Sequence, residues 1–498
     1  MNMPGMSVPA PPKQHAKVAR TKAGNSRHKK TATKKPRKEA FSNAHSAPPT
    51  QSNPAATMTM PIGSQTSGGA MTMPMGSQTG SATDMPMPPQ GGQSSGMGAM
   101  TMAQPATGHG AMEMGAALGS YPGQRESSGT AWQPDASTPM SGPMIMSGGW
   151  MLMAHGDLNL VYDHQSGPRG GNKAFASGML MTMASHPLGN GTVQFRTMVS
   201  PDPLMGPAGY PLLLQTGETA NGRTPLIDRQ HPHDLFMEMS AAVSQNLGRK
   251  SSLFLYGALP GEPAFGPPAF MHRESIEDSP EAPITHHWLD STHISFGVLT
   301  AGLVLDRMKL EVSRFNGREP DQHRWNIETG PLDSTSVRLS WNPTRTLALQ
   351  GSWGNFVSPE QLEPGVDQKR WSASALWADD LAPEWHAAAT LAWGRKTVEH
   401  HSDDAFAAEA SLKHFGWILF GRGEMVDNRE LLGLEEQAPP FRVGKLSLGA
   451  VRDFRVADHL SLGAGGLFSL NFVPDALAPL YGSHHPTGTM AFMRLKLN

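Results

Sequence analysis

Leu460-Ser-Leu-Gly-Ala-Gly-Gly-Leu-Phe-Ser-Leu-Asn-Phe472 puts Leu460, Leu462, Ala464, Gly466, Phe468, Leu470 and Phe472 on one face of an extended chain. Ser461, Gly463, Gly465, Ser469 and Asn471 share the other face, and Leu467 alone is out of phase. A period of two marks a strand with one apolar face. The pattern recurs upstream. Val337, Leu339 and Trp341 oppose Ser336, Arg338 and Ser340; Trp385, Ala387, Ala389, Leu391 and Trp393 oppose His386, Thr390 and Gly394. Sixteen such segments are read, near 155–163, 174–183, 192–200, 234–247, 252–259, 292–304, 307–316, 334–341, 346–357, 370–379, 384–396, 404–414, 416–427, 441–454, 459–472 and 488–497. Several reach roughly 10 residues, the length with which a tilted strand crosses a bilayer, against about 5–6 for ordinary strands. No helical pattern separates them, so neighbours are expected to pair antiparallel.

Composition sharpens this. Charged residues make up 16% of the 498, well below a soluble domain, and no apolar run is long enough for a membrane helix. The absence of cysteine excludes disulfide scaffolds, Cys-zinc sites, iron–sulfur clusters and thiol nucleophiles. Trp341, Trp353, Trp371, Trp377, Trp393 and Trp417 sit near the ends of apolar faces, where an interfacial aromatic belt would lie. The expected fold is all-β: an antiparallel up-and-down transmembrane β-barrel of about sixteen strands, preceded by a long disordered N-terminal region. A soluble sandwich is the competing architecture; the last strand ends in Asn498 rather than an aromatic residue.

Three regions follow. Residues 1–56 form a basic tail: eleven of the 40 Lys and Arg and one of the 42 acids lie in 1–40. It lacks the apolar area to offset ordering entropy and the aromatic interleaving of a nucleic-acid binder, so no nucleic acid is expected. No secretory signal is visible in 1–50, which leaves export by another route, a start upstream of Met1, or a cytoplasmic chain. Residues 57–149 form a Met/Gly/Pro-rich low-complexity leader, and 150–498 the barrel.

The leader repeats Met-x-Met, at Met58 and Met60, Met71, Met73 and Met75, Met85 and Met87, Met100 and Met102, and Met112 and Met114. Interspersed Pro and Gly forbid a continuous helix, so these side chains cannot form a core stripe. Thioether sulfur is soft and neutral and selects Cu(I) or Ag(I), and His109 adds an imidazole. A plain linker is the bland alternative.

A second concentration of chemistry lies in 224–326, which holds seven of the 21 histidines. His231 and His233 would share a face if strand-borne; His286, His287, Asp290 and His293 follow, then Asp321 and His323. His293 opposes Ile294, Phe296 and Val298, so it is expected to face the lumen. Imidazole with carboxylate suits Cu(II), Zn(II) or Ni(II), and solvated pore lining is the alternative. The Pro-rich stretch Leu259–Phe270 is too stiff for a strand and suits a loop folded into or over a barrel mouth.

A Met-rich leader joined to such a barrel resembles copper-resistance protein B of bacterial metal-resistance systems. The segments Asp228-Arg-Gln-His-Pro-His-Asp234, Pro283-Ile-Thr-His-His-Trp-Leu-Asp-Ser-Thr-His293 and Gly317-Arg-Glu-Pro-Asp-Gln-His323 resemble a family of bacterial outer-membrane barrel-like proteins with no assigned substrate. These resemblances imply an envelope location, outer-membrane lipid as partner and copper as the ion bound. Sequestration, efflux or resistance is the expected role. A passive porin-like channel and a membrane-embedded metal enzyme stay open, as does the oligomeric state.

Overall fold

A computed structural model describes residues 115–433 and 439–498. Sixteen strands form the wall: β1 Trp150–Gln165, β2 Gly171–Leu188, β3 Gly191–Val199, β4 Phe236–Gly248, β5 Ser251–Gly261, β6 Ser295–Leu305, β7 Met308–Phe315 and β8 Ser334–Trp341. They continue as β9 Leu347–Phe356, β10 Gln368–Ala382, β11 Trp385–Val398, β12 His401–His414, β13 Trp417–Asn428, β14 Phe441–Ala457, β15 Leu460–Phe472 and β16 Thr487–Leu497. Each pairs antiparallel with the next, and β16 returns to β1 from Gly488↔Gln165 to Leu497↔Gly156, closing the barrel. Every one of the sixteen segments read from the sequence is a wall strand. Closure leaves no sheet edge unpaired, which the bilayer interior demands.

The two faces are inverted relative to a soluble protein. In β7, Met308, Leu310 and Val312 point out and are exposed, while Lys309, Glu311 and Ser313 point in and are buried. In β15, Leu462, Phe468 and Phe472 are exposed while Ser461, Ser469 and Asn471 are buried. Leu467, the residue out of phase, points inward and packs with Tyr210, Leu212 and Phe270. The exposed outer band, with Leu253, Leu255, Leu299, Leu310, Leu391 and Leu448 among it, is the lipid-facing surface of an outer-membrane barrel. Trp341, Trp377, Trp385 and Trp417 stand toward one rim of this band, and Trp353, Trp371 and Trp393 toward the other. Leu391 is mid-strand and 66% exposed. Replacing it with arginine is expected to cost about 2–4 kcal/mol of folding stability in lipid vesicles, measured by urea titration of the heat-modifiable gel form.

Tight turns join β2 to β3, β4 to β5, β6 to β7, β10 to β11, β12 to β13 and β14 to β15 at the rim where β1 begins. The long connections, 200–235, 262–294, 316–333 and 473–486, leave the opposite rim. Short periplasmic turns and long extracellular loops are the rule for such barrels, so β1 begins on the periplasmic side.

Two long connections turn inward. Residues 262–294, here the strap, are buried almost throughout. They include Glu262–Phe270 of the Pro-rich stretch expected to fold into a mouth; its first three residues, Leu259–Gly261, correct that expectation, since they end β5. Residues 200–235 carry a small hairpin, Tyr210–Thr219 with Pro225–Gln230, that packs beside the strap. Residues 115–149, assigned above to the low-complexity leader, are a correction at that boundary: Leu118 and Trp132 join a core cluster with Phe254 and Tyr256, and Arg125 pairs with Asp135 at 2.6 Å.

Candidate functional site

The strap enters the barrel because charged wall residues hold it there. Arg273 is fully buried; its Nε and Nη2 donate to the Glu409 carboxylate of β12 at 2.8 and 2.7 Å, and its Nη1 donates to Asp290 Oδ2 at 2.8 Å. Farther along, Arg494 Nη1 donates to Asp278 Oδ1 at 2.6 Å, and Arg422 and Lys445 both reach Glu281. Unpaired, each of these buried charges would cost several kcal/mol.

The strap's end places two histidines on one helical turn, α1, His286–Leu289, and a third on the 3-10 turn Ser291–His293 that follows. His231 and His233 come from the irregular chain just after the Pro225–Gln230 strand. All five rings converge. Centroids stand 5.1 Å apart for His233–His293 and for His286–His293, 5.4 Å for His286–His287, and 5.5 and 6.0 Å from His231 to His287 and His286. The Phe270 ring packs against His233, His286 and His293. Gly217, at φ +107°, passes so close to His287 that a Cβ there would strike the ring.

Each ring is held by one nitrogen. His233 Nδ1 meets Asp202 Oδ2 at 2.9 Å, His286 Nδ1 meets Asp290 Oδ1 at 2.7 Å, and His293 Nδ1 meets the Asp290 carbonyl at 2.8 Å. His287 Nδ1 meets Glu319 Oε1 at 3.2 Å, and His231 Nε2 lies 3.3 Å from Glu218 Oε1. The second nitrogens are orphaned: His231 Nδ1, His233 Nε2, His287 Nε2 and His293 Nε2 are buried without a partner. Burial, with Arg324 near His231 and His233 near His293, holds His231 and His293 well below the usual imidazole range. Burial also lowers His286 despite Asp290. For His287 burial is outweighed by Glu319, and its pKa rises to about 9.

Anchored Nδ1 with free Nε2 is the arrangement of metal-ligating histidines, whose other nitrogen donates to a carboxylate or carbonyl. Two imidazoles sharing a tetrahedral ion at bond lengths of about 2.0–2.1 Å have centroids roughly 5 Å apart, the separation seen for His233–His293 and His286–His293. Among the described residues, no group of three or more His, Asp or Glu side chains is placed to hold a metal ion, so binding one requires the rings to shift. Imidazole nitrogen from His233, His286 and His293 suits Cu(II), Zn(II) or Ni(II).

Several sequence expectations need correction. His293 does not ride on a strand, because β6 starts at Ser295; it reaches the interior from the strap. His231 and His233 share no strand face, since the hairpin strand ends at Gln230. Asp321 and His323 pair with each other on an exposed loop, His323 being 66% exposed, and do not join the cluster. Asp290 has both carboxylate oxygens committed, to His286 and Arg273, so it orients ligands rather than binding an ion. Met58, Met60, Met71, Met73, Met75, Met85, Met87, Met100, Met102, His109, Met112 and Met114 lie outside the described residues. Spacing did not reveal Asp202, Glu218, Arg273 or Glu319, which approach the rings from distant sequence; the one available signal was the buried charge of an otherwise Pro-rich, apolar segment.

No protein-family model and no curated protein sequence matches the chain. Among solved structures, OmpF of Salmonella typhi in complex with daunomycin is similar at 13% identity and a TM-score of 0.45, over 71% of this chain and 100% of that one. An anion-selective porin from Comamonas acidovorans is similar at 11% identity and a TM-score of 0.41, over 70% and 99%. Outer-membrane-expressed OmpT of Vibrio cholerae is similar at 7% identity and a TM-score of 0.41, over 71% and 100%. Membership of the outer-membrane barrel class rests on this chain's own strand pairing and inverted faces.

Proposed function

We propose that this outer-membrane barrel binds a transition-metal ion, copper by preference, on His233, His286 and His293, as part of sequestration or export rather than catalysis. The observation that carries the reading is the set of three rings, His286 and His293 buried and His233 nearly so, with Nδ1 anchored by Asp202 and Asp290 and no protein partner for His233 Nε2 or His293 Nε2. The Met-x-Met leader, soft where the cluster is borderline, would collect Cu(I) and feed the same role. Titrating the metal-free full chain in detergent with Cu(II), followed by electron paramagnetic resonance, should show nitrogen couplings that His233→Ala/His293→Ala removes. Asp202→Asn, which loosens the anchor of His233, is expected to weaken Cu(II) binding about 10–100-fold. Unchanged spectra and affinity in both variants would refute the site.

A passive channel is the second reading, favoured by the strand count, since sixteen strands enclose a lumen wide enough for water. Planar-bilayer recording separates the two: steady conductance insensitive to copper supports the channel.

A further inference from the structure

The wall carries a second constellation, made of residues that no feature of the leader or the histidine cluster includes. Met181 on β2 stands directly opposite His155 on β1 and Met198 on β3, so the three form one row across the inner face. Directly paired positions hold their Cβ atoms about 4.5–5.5 Å apart, within reach of one shared ion for side chains this long. The strap completes the row from above: His272 Nε2 lies 3.4 Å from Met198 Sδ, and the His155 and His272 rings stand 6.4 Å apart. His155 Nε2 is buried and has no partner.

Packing alone does not account for this choice of residues. Elsewhere the inner wall carries Ser, Arg, Glu and Lys beside buried Phe, Val, Tyr and Ile, and apolar volume on the outer face is supplied chiefly by Leu, Val, Phe and Trp. In the cluster around the row, six of the eight buried members are methionine, with Met153, Met179, Met183 and Met237 backing Met181 and Met198. A cavity of about 140 Å³ reaches His155 and His272 of the row, is lined also by Met179, Met271 and charged groups such as Arg494 and Lys496, and extends to Asn498 at the periplasmic rim.

We infer that Met181, Met198, His155 and His272 form a site for a soft monovalent ion, Cu(I) or Ag(I), entered from the periplasmic side. Two thioethers and two neutral imidazoles supply polarizable uncharged donors, which favour a soft d¹⁰ ion over Zn(II), Ca(II) or Mg(II). The site shares no ligand with the histidine cluster, so it stands whether or not that cluster binds Cu(II).

Silver(I), added as nitrate to the full chain in chloride-free detergent, is the probe, because it mimics Cu(I) without redox chemistry. An ion held on the wall stabilises the folded barrel by mass action, whereas one held in the leader does not. In the unmodified chain the temperature at which the heat-modifiable band converts to the unfolded form should rise by several degrees with Ag(I). The shift should vanish in Met181→Leu/Met198→Leu, and the number of tightly bound Ag(I) should fall by one. Met493→Leu, on the lipid-facing side, and His233→Ala/His293→Ala should keep the shift. The absence of a shift in the unmodified chain overturns the inference, and needs no variant to fold. Survival of the shift in both Met181→Leu/Met198→Leu and His155→Gln/His272→Gln overturns it equally.

Discussion

Replacing Arg273 with methionine is expected to free the histidine end of the strap while leaving the barrel closed. The guanidinium is wholly buried and satisfies two carboxylates at once, Glu409 through a two-pronged contact at 2.8 and 2.7 Å and Asp290 at 2.8 Å, besides the Pro268 carbonyl at 2.8 Å. Methionine keeps the volume and removes the charge, so both carboxylates are left in a site that excludes water. Breaking one side of a buried pair costs about 3–5 kcal/mol, and here two partners are stranded. The wall is continuous without Arg273, and the strap keeps its contacts through Asp278 and Glu281, so the loss falls on 285–294. Three readouts should move together: faster hydrogen exchange in 285–294, weaker Cu(II) binding because Asp290 no longer fixes His286 and His293, and higher conductance in planar bilayers. Arg273→Lys retains the charge but not the planar fork and should fall between. A variant with native exchange and native Cu(II) affinity would mean the strap is held elsewhere.

The wall was legible in the sequence because a barrel writes its rule locally. In β7 and β15 each residue faces either lipid or the interior, and the period of two shows in the chain without tertiary knowledge. Leu467 broke phase for a reason that alternation cannot carry, namely apolar partners, Tyr210, Leu212 and Phe270, on connections far upstream. The candidate site was legible only as a list. His231, His233, His286, His287 and His293 stood out by type, and the interior does gather them. Their roles did not show, because the carboxylates that aim them, Asp202, Glu319 and Asp290, are assigned by how the strap folds back. The same limit hid Met181 and Met198: methionine on a strand reads as apolar filler until the strand register sets it beside His155.

Strap docking in the metal-free chain is expected to be strongest near pH 6 and to weaken on both sides. On the acid side the relevant groups are strap carboxyls and buried imidazoles. Burial alone would raise Asp278, but Lys496, Lys413 and Arg494 hold it well below the usual range. Lys445 and Arg422 do the same for Glu281 against its burial, Arg273 and His286 for Asp290, and His386 and Lys413 for Glu274, which falls to about 2. A carboxyl depressed on folding contributes stability that is complete above its unfolded pKa, about 4, and that disappears as pH drops through the folded value. On the other side, burial outweighs Arg338 for Glu262 and Arg324 for Glu218 and Asp234, raising them to about 7, 7 and 6. Groups raised in this way favour the docked state below about pH 4 and lose that contribution as pH climbs to their folded values. Burial lowers His272, His286 and His293 of the strap and His231 beside them, so each opposes docking until pH passes its unfolded value, about 6.5. That gain offsets the loss from Glu262, Glu218 and Asp234 up to about pH 6, above which the loss alone remains. Hydrogen-exchange protection of 262–294, corrected for intrinsic rates and normalised to β10 and β11, should pass through a maximum near pH 6. A monotonic rise in protection from pH 4 to 8 would show that Glu262, Glu218 and Asp234 stay ionised at no cost, and that their pairing with Arg338 and Arg324 outweighs burial.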